Sequence, residues 1–209
     1  MIEPERLIAS INSEFKYLFT LKGYTTQHNI QSFRVEGTSN ALNRFEHPFS
    51  LVKVFSWFSE FWLFLEIRFI KNEIKKGRKT VPQLHTSISV SVFQGKDSDE
   101  IKYQLFRAEW DDFNNSKEIH SQPHWHITSN QALEKSFTDY AKDLDQDGFI
   151  SLLENEKEKV LDVTKIHFAM NGNWQNGQTN IHGIDDEKKI VNWFQGLLQH
   201  IKTELEYVN

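Results

Sequence analysis

Cysteine is absent from this 209-residue chain. Disulfide frameworks, thiolate zinc sites and cysteine nucleophiles are therefore excluded together, and any chemistry falls to histidine, carboxylate and hydroxyl groups. A basic and then apolar leader is also missing, since the opening MIEPERLIAS supplies neither part of a secretory signal. No apolar run is long enough to cross a bilayer uninterrupted. The nearest, Phe49 to Ile70, is broken by Lys53, Glu60, Glu66 and Arg68, and a hydrocarbon core penalises each unpaired charge by a few kcal/mol. The expected compartment is the cytoplasm.

The chain has no internal repeat and no low-complexity tract, and it lacks a phosphate-binding glycine loop, a Gly-x-Ser-x-Gly elbow and a His-Glu-x-x-His pattern. It also lacks an excess of positive charge. The formal net charge is −5, with 13 basic and 11 acidic side chains in residues 1–100 against 11 and 18 in residues 101–209. Bulk electrostatics thus offers no general attraction to nucleic acid. One local cluster departs from this: Arg68, Lys71, Lys75, Lys76, Arg78 and Lys79. It reads as the solvated end of a long helix, where cations complement the C-terminal dipole, and as the one place where phosphates could be contacted.

What the chain does contain, 38% apolar and 13% aromatic residues, is enough for a sizeable core in a single domain over residues 1–209. Leu7, Ile8, Ile11, Phe15, Leu18 and Phe19 recur at three-to-four spacing and predict a helix over 4–21 that Gly23 can end. Residues 25–36 read as extended, and Ser39 as the cap of a short helix. A long helix is expected from about 50 to 76, closed by Gly77. It carries two apolar stripes: Leu51, Phe55, Phe58, Trp62, Leu65 and Phe69 on one face, and Trp57, Phe61 and Phe64 on another. Such a helix is central to a core or shared between subunits.

From His85 the period falls to two. Ile88, Val90 and Val92 alternate with Ser87, Ser89 and Ser91, and Gly95 to Glu100 turns the chain into a second strand, Ile101 to Trp110. Residues 123–128 and 165–170 read as two further strands. Acidic helical segments are expected at 131–142 and 150–161, and Ile190, Trp193, Phe194, Leu197, Leu198, Ile201 and Leu205 mark a final helix. The fold expected is α+β: a mostly antiparallel sheet of about four strands covered by helices, with an acidic helix-loop-helix insertion at 131–161 before the last strand.

Two segments carry candidate chemistry. The run Asp143-Leu144-Asp145-Gln146-Asp147-Gly148-Phe149-Ile150-Ser151-Leu152-Leu153-Glu154 resembles the calcium loop of the EF-hand family at every defining position. Calcium is a hard cation that takes six to eight oxygens. The resemblance implies ligation by Asp143, Asp145 and Asp147, by the Phe149 carbonyl, by Ser151 directly or through water, and by a bidentate Glu154, with Gly148 permitting the sharp turn. It covers twelve residues and occurs once, so it implies a structural calcium that clamps two helices rather than a sensor.

The second segment is Pro123-His124-Trp125-His126-Ile127. On a strand, His124 and His126 project from one face and Trp125 from the other. His167 points opposite to Ile166 and Phe168 on its own expected strand. If the strands share their apolar face, three histidines meet on the other, and with Glu109 or Asp111 as oxygen ligand they suit zinc, manganese or iron. Bound water there would support hydrolysis. A metal-free version uses a histidine as general base, with Arg107 steadying an anion. The bland reading is that these are partly buried side chains with ordinary partners, and that Arg107 and Glu109 merely form an ion pair.

Two functions follow as expectations. One is an intracellular binding or assembly protein with a structural calcium loop, which engages another chain or a second copy of itself through aromatic-rich helices and makes no membrane contact. The other is a metal-dependent hydrolase, with a nuclease among its forms, centred on His124, His126, His167, Arg107 and Glu109.

Overall fold

The computed structural model describes residues 2–27, 29–45, 50–76, 78–111, 123–127 and 186–208. In chain order the elements are α1 (Pro4–Glu14), β1 (Leu21–Gln27), β2 (Ile30–Val35), β3 (Ser39–Asn43), β4 (Ser50–Phe58), β5 (Phe61–Lys76), β6 (Lys79–Gln94), β7 (Ile101–Asp111), β8 (His124–Ile127) and α2 (Glu187–Val208). The strands join in one mixed eight-stranded sheet. This corrects the expectation of about four antiparallel strands under a cover of helices. The helices expected at 131–142 and 150–161 and the strand expected at 165–170 fall outside the described residues. Among the described residues no helix is long and apolar enough to cross a membrane.

The largest correction concerns residues 50–76, which form β4 and β5 rather than a helix. On β5, Leu63, Leu65, Ile67 and Phe69 alternate with Phe64, Glu66 and Arg68, a period of two. Both sets are largely covered: Leu63 to Ile67 are all buried. Two covered faces scatter aromatic residues around the segment and imitate a helix that is apolar on two sides. Ser59, at φ 49°, lets the chain reverse without glycine, so that Phe58 pairs with Phe61. The aromatic side chains of this segment therefore lie on two strands, and Phe55, Phe61, Trp62, Phe64 and Phe69 enter this chain's own core.

Two smaller expectations also shift. Proline at the first turn and the buried residues Leu7, Ile8 and Ile11 fix α1, but it stops at Glu14, and Gly23 lies inside β1 instead of ending a helix. Phe15 and Phe19 lie beyond the helix, stacked at 5.2 Å, and each meets Phe194 of α2 edge-on at 5.2 and 6.0 Å. The Asn12 side chain donates to the Leu21 carbonyl and accepts from the Leu21 amide, supplying β1 with a strand-like partner. Residues after Ser39 extend as β3, not as a short helix.

The pairings close a circuit. β3 pairs with β4, β4 with β5, β5 with β6, β6 with β7, and β7 returns to β3 in parallel through Asn40↔Ile101 and Ala41↔Lys102. A closed ring has an outer and an inner face, and strand alternation assigns side chains to each. The outer face carries Leu63, Leu65, Ile67, Ile88, Val90, Val92, Phe106, Ala108 and Trp110, all buried. The helical termini pack on this side, as Phe19 on Phe55 at 5.8 Å shows. Each large apolar side chain removed from water there contributes roughly 1.5–3 kcal/mol.

The inner face is mixed. A register shift between Val92 and Phe93 leaves Leu105 as an extra residue on β7 and turns Gln104 and Lys102 to the same side as Phe93, Trp62 and Phe64. Lys102 is wholly buried, yet its ammonium donates to the carbonyls of Lys96 and Asp99 and lies 4.6 Å from the centre of the Trp62 ring. The Trp62 indole donates to the Gly95 carbonyl at 2.7 Å. These bonds pin the turn between β6 and β7, and with it the register of the strand that carries the candidate site.

Candidate metal centre

β8 adds to β7 beyond the ring. The register sets Arg107 opposite His126, Ala108 opposite Trp125 and Glu109 opposite His124. Trp125 and Ala108 turn to the outer side, where Trp125 meets Phe106 edge-on at 5.8 Å. Arg107, Glu109, His124 and His126 consequently share the inner face, as alternation demands.

The four side chains meet there. His124 Nε2 and His126 Nε2 lie 2.8 Å apart, so at least one of the two nitrogens carries no proton and presents a lone pair. Glu109 Oε1 is 3.3 Å from His124 Nε2 and 3.4 Å from His126 Nε2. The other carboxylate oxygen, Oε2, lies 2.6 Å from Arg107 Nε. The guanidinium thus engages one oxygen and leaves its neighbour aimed at the imidazoles. Phe45, in the turn after β3, lies over both bases, 5.4 Å from the His126 ring and 5.3 Å from the Arg107 guanidinium carbon.

Electrostatics keeps this group ready for a cation. Burial alone would raise the Glu109 pKa, but the hydrogen bond from His124 and the charges of Arg107, His126 and His124 bring it down to about 2. Glu109 is therefore a carboxylate at any physiological pH. Burial, reinforced by Arg107 and His124, lowers the His126 pKa against the opposing pull of Glu109, which favours the neutral, ligating imidazole. Glu109, His124 and His126 could hold a metal ion, their ligand atoms all lying within 4.8 Å of one another. Zinc at about 2.05 Å from each tetrahedral donor would separate the donors by about 3.4 Å. Two of the separations here, 3.3 and 3.4 Å, match an edge of that tetrahedron, and the third, 2.8 Å between the imidazole nitrogens, is shorter.

Of the residues singled out in the sequence, the structure thus brings together Arg107, Glu109, His124 and His126. Asp111 lies two residues past Glu109 on the same face, opposite Ser87, and is not part of the group. His167 and the calcium-type residues Asp143, Asp145, Asp147, Phe149, Ser151 and Glu154 lie outside the described residues. Phe45 escaped sequence reasoning, because nothing local in its segment points to a strand sixty residues on. The serines of β6 escaped too. Ser89 stands in register with both Glu66 and Glu109, within a row that runs Arg34, Glu66, Ser89, Glu109, His124 across five strands.

On the outer side, Ala108, Pro123, His124, Trp125, Trp193 and Leu197 help to bound a cavity of about 430 Å³ between β8 and α2. His124 is thus shared between the metal-ligating group and the wall of this cavity, which Asn192 and His200 also line. Comparison with protein-family models, with curated proteins and with solved structures finds no match for this chain.

Proposed function

We propose that this chain is a metal-dependent hydrolase in which Glu109, His124 and His126 hold a divalent transition ion. The observation that carries the reading is the triangle of two imidazole nitrogens and one carboxylate oxygen with edges of 2.8–3.4 Å. Two nitrogens and one oxygen suit zinc or manganese better than calcium or magnesium, which favour all-oxygen shells. Three protein ligands on a tetrahedral ion leave one position for water, and an ion there lowers the pKa of that water towards neutrality. Arg107 keeps Glu109 in place by occupying its second oxygen, the kind of support that fixes a ligand's orientation.

The test is elemental analysis of the purified chain after dialysis in metal-limited buffer with micromolar zinc, manganese and calcium, followed by an assay with bis(4-nitrophenyl) phosphate. The expected result is close to one transition ion per chain and measurable hydrolysis. Both should be lost in His124→Ala while circular dichroism stays unchanged. A chain that binds no transition ion, or binds one that His124→Ala retains, sinks the reading. The same measurement bears on the loop from Asp143 to Glu154, for which we propose a structural calcium: stoichiometric calcium that disappears in Asp143→Ala supports it, and its absence removes it.

A further inference from the structure

β5 and β6 outrun their neighbours. β2 pairs with β5 only as far as Ile70, and β7 pairs with β6 only as far as Ser87. The two long strands nevertheless continue to pair with each other, through six further pairs from Lys71↔Leu84 to Lys76↔Lys79. At about 3.3 Å per residue they form a two-stranded arm roughly 20 Å long.

The charge of this arm is opposite to that of the chain. Residues 71–84 contain five Lys or Arg and a single Glu, in a protein of net charge −5. Lys71, Lys75, Arg78 and Lys79 are all exposed. Nothing in the arm's own stability calls for this. A lone hairpin is marginal in water, and the exposed cations Lys71, Lys75, Arg78 and Lys79 repel one another along it. Repulsion concentrated on a projecting element is relieved by a polyanion.

We propose that the arm binds duplex DNA and delivers it to the metal centre, which makes the hydrolase a nuclease. A two-stranded ribbon fits the major groove of B-form DNA, about 12 Å wide, whereas the deep, narrow major groove of A-form RNA does not admit it. Alternation puts Lys71 and Lys75 on one face of the ribbon and Lys79 on the other, so cations face both phosphate walls of a groove. Along β6 the base of the arm at Leu84 is five residues from Ser89, the register partner of Glu109, roughly 17 Å or about five base-pair steps of 3.4 Å. In the cleavage step a water oxygen bonds to phosphorus, the bridging P–O bond breaks, and the proton from water ends on the leaving oxygen. No electrons are exchanged. The inference rests on the hydrolase reading for the cleavage, while the binding stands apart from it.

The experiment measures fluorescence anisotropy of a labelled 20-base-pair DNA duplex of mixed sequence with the full chain at several salt concentrations. Wild type is compared with the quadruple variant Lys71→Gln/Lys75→Gln/Arg78→Gln/Lys79→Gln and with His124→Ala. The wild type should bind, and the quadruple variant should bind at least about thirtyfold more weakly at 0.1 M salt, with a log–log salt slope shallower by about three to four. Circular dichroism should show the variant folded, since all four side chains are exposed. His124→Ala should keep the affinity and lose only cleavage, so a failed metal site and a failed arm give different results. The proposal is overturned if the duplex does not bind, if the quadruple variant binds as wild type does, or if duplex RNA, single-stranded DNA or phosphatidylserine vesicles bind as tightly as duplex DNA.

Discussion

Two carboxylates on the inner face of this sheet, Glu66 and Glu109, are each set between basic side chains, yet only one is placed to bind a ligand. Glu66 is 4% exposed and is held on both sides, Oε1 by Arg34 Nε and Oε2 by Arg68 Nη2, each at 2.5 Å. Arg34 is fixed in turn over the Tyr24 ring at 4.5 Å. Each guanidinium engages one oxygen, so both oxygens of Glu66 are occupied. Glu109 gives one oxygen to Arg107 and the other to two imidazoles, whose nitrogens can lose a proton and accept a metal. Replacing a second guanidinium by two histidines converts a closed ion pair into a ligand set.

That contrast predicts which loss is felt as stability and which as binding. The largest effect on folding is expected from Glu66→Ala, which leaves two arginines facing each other across a covered face. Breaking a buried pair costs 3–5 kcal/mol. The arginine side chains keep 28% and 39% exposure, so about 3 kcal/mol is expected from urea titration, with metal content unchanged. A loss under about 1 kcal/mol, or a loss of metal, would show that the two carboxylates do not play separate parts.

Next in size is the stabilisation that the ion itself confers. If the proposed site takes zinc, the ion at one hundred times its dissociation constant should raise the unfolding free energy of the wild type by about 2.7 kcal/mol, because the three ligands converge only in the folded chain. Glu109→Gln keeps the shape and removes the anionic ligand, so its midpoint in urea should hardly move when zinc is added. An equal zinc-induced shift in both proteins would place the ion elsewhere in the chain.

The same contrast explains what could be read from the sequence. His124 and His126, two apart on a short strand, and Arg107 and Glu109, two apart on another, were legible because alternation alone sets each pair on one face. The strand expected at 165–170 lies outside the described residues. The helix Glu187–Val208 was legible because its apolar residues recur on one side, and the strands expected from 85, from 101 and over 123–128 were legible because serines, charges or histidines alternate with apolar residues. β5 was not, since Phe64 on the inner face is as buried as Leu65 on the outer, and a strand covered on both sides loses its polar rhythm. Its only hint was the pair Glu66 and Arg68, alternating with Leu65, Ile67 and Phe69. These charges read as interruptions of an apolar helix, although Glu66 and Arg68 form an ion pair on the inner face. The closure of β7 onto β3, and the approach of Phe45 to His126, depend on contacts between distant segments that no local pattern encodes.

The smallest effect separates the two carboxylates most directly. Ser89 stands between Glu66 and Glu109 in register, and two interstrand spacings of about 4.8 Å place their backbones about 10 Å apart. Sites at that distance with no shared partner are additive within about 0.3–0.5 kcal/mol. Glu66 is engaged by Arg34 and Arg68 and Glu109 by Arg107, so among these ion pairs the two carboxylates share no guanidinium. The double variant Glu66→Gln/Glu109→Gln in metal-free buffer should therefore lose the sum of the two single losses, within about 0.5 kcal/mol. A coupling well above that would mean that Ser89 and its neighbours join the two clusters into one network, and that the structural ion pairs of Glu66 help to set the affinity of the metal centre.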